Sequence, residues 1–359
     1  MFSLGQSFKP VVGLDFSSSG IKMAEVRPAG KKWKLIHSGF APLPPGAIAE
    51  SQVKDKEVVS QALKDLMKAN KVSTKDVAFS VNGSAVIIKK IQLATVSELE
   101  LEDTIVTEAE EYIPFDIEEV HLDFQILNST PENMDVLLVA CKKDVVQNHM
   151  EVLQGAGLVP KILDLDLFCL GNFYLNVINP NWAKSQENAA IINIGASVTN
   201  VVVMCNGIPE FTRDHLFGSR HLLEDIQRAY DLNAEDALCL QTGLPNEAGK
   251  EIPQPPDYDS ELLQPFLGQI HQQLAQSLDF YSAGHQDKPV TTLYLAGGCS
   301  LIPGIAPFLE SQFNEISVKL VDPFQLIETG KESQPGGPLF GFSPRFAVAI
   351  GLALRGMSQ

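Results

Sequence analysis

The chain has 359 residues, 45% of them hydrophobic and 20% charged, with a formal net charge of −17. That length exceeds one ordinary hydrophobic core and predicts two lobes or more, and the composition excludes a disordered chain. The acidic balance argues against nucleic acid or an anionic membrane surface as a direct partner, because phosphate contacts need clustered Lys and Arg.

The acidic excess gathers in Glu98–Glu119, Glu224–Asp236 and Glu247–Glu261. No apolar run reaches membrane-spanning length; Val136–Cys141 and Ala347–Leu354 suit a core strand and a core helix. Met1–Pro10 carries neither a long apolar region nor a small-residue cleavage site, so no secretory leader is expected. Cys141, Cys169, Cys205, Cys239 and Cys299 lack C-x-x-C spacing and lie mostly in apolar segments. They predict reduced core thiols and a cytosolic protein.

In chain order, Val11–Leu14, Ile21–Val26 and Trp33–Phe40 predict a three-stranded meander. Val58, Val59, Ala62, Leu63, Leu66 and Met67 recur at helical spacing up to Asn70, and Val77–Val81 returns as a strand. From about Ser84 comes a β-α-β-β-α-β block: strand Val86–Leu93, a helix opened by the capping box Ser97–Glu100 and stopped by Pro114, strands His121–Leu127 and Asp135–Cys141, helix Asp144–Gln154, and strand Val159–Leu165. It reads as a compact inserted subdomain. A helix over Leu167–Ile178 follows, then strands Ala190–Ile194, Val198–Val203 and Ile208–Thr212. Helices are predicted at Ser219–Tyr230, Ala234–Leu240 and Leu262–Tyr281, with an exposed Pro-rich loop at Gly249–Asp259. Thr292–Leu295 is a buried strand, and Phe346–Leu354 an apolar helix.

Two segments repeat one pattern. Val11–Lys22 and Ala190–Val203 each run apolar strand, one polar residue, a small hydroxyl-rich turn and a second apolar strand. Two such hairpins facing across a cleft would hold phosphates from both sides with main-chain N–H groups. Asp15 and Asn193 occupy equivalent strand ends; Asp15 is placed to hold water around a magnesium ion, whereas Asn193 equally suits an Asx-turn. The hydroxyls of Ser17, Ser18, Ser19, Ser197 and Thr199 serve either phosphate or the turns themselves. Leu293–Gly304 reads as a strand, the Gly297-Gly298 pair and a helix start, where a backbone can approach a ligand and a helix N-terminus favours an anion. The seven histidines show no metal spacing, and no nucleophile elbow, Walker A loop or H-E-x-x-H is present.

The order hairpin, insertion, connecting helix, hairpin, Gly-Gly turn and C-terminal helix resembles the actin/Hsp70/sugar-kinase superfamily. The insertion narrows this to the branch holding the cell-division protein FtsA and the pilus assembly protein PilM. The segments Gly13-Leu14-Asp15…Ile21-Lys22, Glu108–Asp116, Asp135–Ala140, Asn193–Ser197 and Gly351–Arg355 resemble the PilM family in particular. The resemblance implies an α/β, actin-like (ribonuclease H-like) two-lobed fold. It implies a first lobe of residues 1–83 and 164–183 with helix 344–356 between the lobes, an inserted subdomain of 84–163, and a second lobe with core 184–217 and 291–343 and helical part 218–290.

It further implies phosphate contacts from Asp15, Ser17, Ser18, Ser19 and Lys22 and from Asn193, Gly195, Ala196, Ser197 and Thr199, with adenosine contacts near Gly297, Gly298, Cys299 and Ser300. Gly218 and Ser219 stand at a Gly-Gly-Asn-Gln-like turn, and Gln241 where relatives carry a ribose-supporting Glu or Lys pattern. ATP, with magnesium at Asp15, is the implied cofactor. Ser17 replaces a usual glycine and Asn193 a usual Asp, so nucleotide affinity is weakened and turnover is expected to be absent or very slow. A kinase or ATPase would need a carboxylate base, for which Asp164 or Asp166 is the nearby candidate. The resemblance implies a scaffold of the pilus machine, cytoplasmic and peripheral to the inner membrane through a protein partner. That partner would be the N-terminal peptide of a PilN-like single-pass protein, captured near Tyr112, Ile113, Pro114 and Phe115. Ile113 and Phe115 equally suit the insertion's own core. Alternatives are an actin-like ATPase or small-molecule kinase, or a scaffold of a secretion or cell-division machine. The chain's end at Gly356–Gln359 leaves no room for the amphipathic membrane helix of FtsA-like proteins.

Overall fold

The computed structural model describes residues 10–357 except 50, 83–85, 186, 246–248, 250, 331–338 and 340. The expectations for residues 1–9, for the boundary at 84, for residue 250 of the predicted loop and for residues 358–359 lie outside the described residues.

The first lobe opens with β1 (Val12–Ser17), β2 (Gly20–Ala29) and β3 (Lys32–Pro42), then the short pair β4 (Ile48–Ala49) and β5 (Gln52–Val53), α1 (Lys56–Ala69) and β6 (Asp76–Val81). Asp55 caps α1 by accepting from the Val58 amide, and Val59, Leu63, Leu66 and Met67 bury its apolar stripe. Next come β7 (Val86–Ala94), α2 (Glu98–Tyr112), β8 (Val120–Ser129), β9 (Asn133–Lys142), α3 (Lys143–Gly155), β10 (Val159–Leu165), α4 (Asp166–Phe173) and the one-turn α5 (Trp182–Ser185). The second lobe holds β11 (Ala189–Ile194), β12 (Thr199–Cys205), β13 (Ile208–His215), α6 (Ser219–Tyr230), α7 (Ala234–Thr242), α8 (Gln264–Gly284), β14 (Thr292–Ala296), α9 (Ile305–Gln312), β15 (Ser317–Leu320), α10 (Pro323–Leu326) and α11 (Ala347–Arg355).

The two lobes share one topology. The first sheet runs β3-β2-β1-β6-β10 and the second β13-β12-β11-β14-β15, each an antiparallel meander continued by two parallel strands. The repeat seen in the hairpins therefore extends to whole sheets, which is the duplicated ribonuclease H-like arrangement.

The β-α-β-β-α-β order of the insertion is present, but its members divide between two bodies. β7, β9 and β8 form their own three-stranded sheet, with α2 on the face of Ile91, Leu93, Val136 and Leu138. β10 instead pairs in parallel with β6, and Val145, Val146, Val152 and Leu153 of α3 join the first-lobe core. Local patterning cannot say which sheet a strand joins; here α3 is the crossover that two parallel strands require.

Between the lobes lie α4 and α11. α4 leaves the first sheet yet packs on β12 and β13, whereas α11 packs on β1, β2 and β6. A Cβ on Gly351 would stand 2.1 Å from the Cys169 carbonyl oxygen, and one on Gly13 would stand 2.0 Å from that of Ala349. Asn172 Nδ2 donates to the Gly351 carbonyl at 2.9 Å. All five cysteines are free and buried, as expected. Among the described residues no helix is long and apolar enough to cross a membrane.

A Gly351→Ala variant is expected to lose about 2 kcal/mol of stability by overpacking. Gly268→Ala in α8, where a Cβ meets nothing within 4 Å, is expected to gain up to about 1 kcal/mol. Urea midpoints of the two variants check the contrast.

Candidate functional site

Both hairpin tips meet at the cleft, and strand register explains what each residue does there. Asp15 lies directly opposite Lys22, and Asn193 directly opposite Asn200. Facing side chains on one sheet face touch. Lys22 Nζ accordingly sits 3.1 Å from Asp15 Oδ2, with both residues buried, and also donates to Ser17 Oγ at 2.6 Å. In the second hairpin Asn193 Nδ2 donates to Asn200 Oδ1 at 2.9 Å, and Asn200 Nδ2 donates to Asp214 Oδ1 at 2.7 Å. The Asx-turn expected for Asn193 gives way to a cross-strand amide pair. The second lobe thus repeats the first lobe's ion pair in neutral form.

The hydroxyls divide their work. Ser17 Oγ donates to the Gly20 carbonyl at 2.8 Å, and Ser17 and Ser19 Oγ lie 3.2 Å apart, so these two close their own turn. Ser18 Oγ instead reaches Ser197 Oγ at 2.8 Å across the cleft, and Arg220 Nη2 donates to the Ser18 carbonyl at 3.2 Å. The tips therefore touch, and a phosphate between them requires the lobes to part.

Several expected ligand contacts are turned inward. Thr199 Oγ1 donates to the Phe217 carbonyl at 2.8 Å, and Gln241 Nε2 to the Ser219 carbonyl at 2.6 Å, both residues being buried. Ser219 and Arg220 amides donate to the carbonyls of Gly195 and Ala196, and a Cβ on Gly218 would stand 2.4 Å from the Gly195 oxygen. Gly195, Ala196, Gly218 and Ser219 thus form one closed backbone knot. Gly297 adopts φ +87° against Asn193 and Ile194, and Ser300 Oγ donates to its carbonyl at 2.6 Å. The predicted helix start after Gly298 is a single 3-10 turn, Gly298–Leu301, with α9 beginning only at Ile305. Cys299 and Ser300 are buried in that turn, as is Gly297 before it, which leaves Gly298 and Leu301 as its partly exposed positions.

The register also gathers carboxylates. Asp166, the first residue of α4, accepts from Ser80 Oγ at 2.5 Å and from Asn82 Nδ2. Burial first, then the charges of Asp15 and Asp214, push its carboxyl up to about 7, although those two hydrogen bonds oppose the shift. A cavity of about 40 Å³ lined by Asn82, Leu165, Asp166, Leu167 and Asp214 has room for a water. Asp164 points elsewhere, to Arg355 Nε at 3.2 Å, so the two candidate bases separate. Among the described residues no three His, Cys, Asp or Glu side chains stand close enough to share a metal. Ser80, Asn82, Asn200, Asp214 and Arg220 were missed in the sequence; the duplicated register, once seen, would have marked Asn200 as the counterpart of Lys22.

On the insertion, the capping box forms, Ser97 N and Oγ lying 3.4 and 2.7 Å from Glu100 Oε2. Ile113 is buried in the insertion's core, so its partner role gives way to packing. Phe115 is half-buried beneath the Lys142 ammonium, 4.1 Å from the ring centroid, while Tyr112 and Pro114 are exposed.

The profile of the type IV pilus assembly protein PilM family matches residues 13–357. The chain belongs to that family. A solved structure described as a PilM-PilN type IV pilus biogenesis complex is similar over 97% of this chain and 99% of its own, at TM-score 0.81 and 28% identity. MreB 5 of Spiroplasma citri bound to AMPPNP shares the fold at TM-score 0.53 and 12% identity, over 96% and 95% of the two chains. The ethanolamine utilization protein EutJ of Escherichia coli (strain K12) is 22% identical over 156 residues, 42% of this chain and 50% of that protein. The chain matches about half the length of that relative.

Because Asp166 is raised in the folded state and ordinary in the unfolded one, the folded chain binds the extra proton. Its contribution is therefore favourable at low pH and is lost as pH rises from about 4 through about 7. Asp166→Asn is expected to melt higher than the parent at pH 8, with the gap narrowing toward pH 5.5; scanning calorimetry across that range reads it.

Proposed function

We propose that the protein is an actin-like scaffold of the type IV pilus inner-membrane assembly complex, and that it captures a short N-terminal peptide of a PilN-like single-pass membrane protein. The family match, running through both lobes and the insertion, carries this reading. The similar solved complex with PilN supports the partner class. In this role the protein sits on the cytoplasmic face of the inner membrane, held there by its partner.

The insertion supplies the chemistry such a peptide needs. α2 carries seven carboxylates and no Lys or Arg between Glu98 and Tyr112, a rim that draws a basic juxtamembrane segment. Exposed Tyr112 and Pro114 and half-buried Phe115 give aliphatic side chains a surface next to it. The division of the predicted 84–163 segment bears on the test: removing all of it would take α3 and β10 from the first lobe, whereas excising 86–142 leaves that lobe's elements intact. Calorimetry with N-terminal peptides of PilN-like proteins is expected to show binding that the 86–142 excision abolishes. Undiminished binding by the excised protein refutes the location.

The cleft reading is a nucleotide held structurally, with Asp15, Lys22, Ser18, Ser197 and the Gly297-Gly298 backbone around it and magnesium near Asp15. The neutral Asn193–Asn200 pair, the self-bonded Ser17 and the buried Gln241 support weak retention and little chemistry. A slow ATPase is the second reading, favoured by Asp166, whose carboxyl near 7 suits proton acceptance from water. ATP turnover is expected to stay well below about 1 per second. Asp166→Asn is expected to abolish what turnover there is, and Asp15→Ala to reduce both nucleotide retention and the thermal stabilisation ATP confers. Turnover at or above that rate overturns the scaffold reading.

A further inference from the structure

Arg345, just ahead of α11, is a half-buried cation, and its Nε is fully buried with no hydrogen-bond partner among the described residues. Its guanidinium lies 4.9 Å from the Phe342 ring centroid and 5.7 Å from that of Phe40. None of the described carboxylates forms an ion pair with it. A guanidinium withdrawn from water without an anion is costly, and two aromatic faces offset only part of that cost.

Its neighbours place it where the two lobes' loops converge. The Phe40 ring packs on Gly20 of the first hairpin, where a Cβ would stand 2.6 Å from the ring edge. On the other side a Cβ on Gly298 would stand 3.3 Å from Arg345 Nε, so the glycine loop of the second lobe lies directly against the guanidinium. Elsewhere in the cleft the charges are committed: Lys22 is paired with Asp15, Arg220 donates to the Ser18 carbonyl, and Asp166 and Asp214 add negative charge. A phosphate entering that cleft meets carboxylates unless a free cation stands beside it.

We infer that Arg345 is an anion receptor of the cleft, pairing with a phosphate group held between the first hairpin and the Gly297-Gly298 loop. The phosphate belongs to a nucleotide in the reading above, on which this inference rests for the ligand's identity; inorganic phosphate offers the same chemistry. The guanidinium beside the Phe342 ring offers its remaining N–H donors to a tetrahedral oxyanion.

Calorimetry on the full chain with ATP, ADP, adenosine and inorganic phosphate, comparing the parent with Arg345→Met and Arg345→Lys, tests it. Arg345→Met is expected to weaken ADP and ATP by about tenfold or more, as loss of a charge-assisted contact does, with adenosine unchanged. Arg345→Lys is expected to retain most of the affinity. If the Met variant does not fold, Arg345→Gln, a shorter side chain that keeps two N–H donors without the charge, serves in its place. Equal loss for adenosine and ADP, or ADP binding as tight as in the parent, overturns the inference. If the parent binds inorganic phosphate but no nucleotide, and the Met variant binds neither, the nucleotide reading falls and Arg345 stands. A parent that binds none of the four probes overturns both.

Discussion

The back-to-back packing of α4 and α11 is the constraint on which the remaining geometry depends. Each helix crosses from the lobe it leaves to the lobe it packs on; α11 approaches α4 so closely that Gly351 has no space for a methyl group, and approaches β1 so closely that Gly13 has none. Close packing of this kind is stiff, because interiors respond to a displaced methylene rather than absorb it. α11 fixes β1, hence the Asp15 end of the first hairpin. α4 starts at Asp166 itself, so the same helix pair sets the carboxylate against Ser80 and Asn82. A strap adds to the join: Glu328 bridges β3, its carbonyl accepting from Leu35 N at 2.8 Å and its N–H donating to the Trp33 carbonyl at 2.9 Å. The tips, by contrast, touch through Ser18–Ser197 and Arg220–Ser18. The tips are thus joined by polar contacts, unlike the apolar close packing of the helix pair.

The cleft's electrostatics follow from one difference between two otherwise matched hairpins. In the first, an Asp faces a Lys; in the second, an Asn faces an Asn. The amide pair hands its hydrogen bond on to Asp214, which with Asp15 raises the proton affinity of Asp166. Asp166 is thereby divided between its protonated and ionised forms near neutral pH, so it exchanges a proton readily there.

The insertion is attached by the second face of its own sheet. Val86, Ile88, Val139 and Cys141 lie on that face and pack into the first-lobe core, while the opposite face is sealed by α2. A three-stranded sheet with both faces occupied has its helix directed outward, and that helix is the acidic one. The carboxylates of α2 thus lie on a body anchored to the first lobe.

How much of this was legible in the sequence depends on how far apart the interacting residues lie. Helix α6 at Ser219–Tyr230, the Ser97–Glu100 capping box and the α1 stripe are written in neighbouring residues, as are the hairpins, whose small-residue turns bring residues seven apart into register. The family resemblance was carried by such local segments. The tertiary structure alone decided that β10 joins β6 rather than the insertion's sheet, because parallel pairing has no local signature. It also decided which hydroxyl serves the cleft. Ser17, Ser18 and Ser19 are indistinguishable in sequence, yet only the approach of the second lobe gives Ser18 its partner 179 residues away. Asp166 owes its raised proton affinity to burial and to the charges of Asp15 and Asp214, which lie in distant parts of the chain, and Arg345 its isolation to Phe40 and Gly298. Local chemistry sets the elements; burial and charge at a site are sums over distant parts of the chain, and they exist only once the lobes close together.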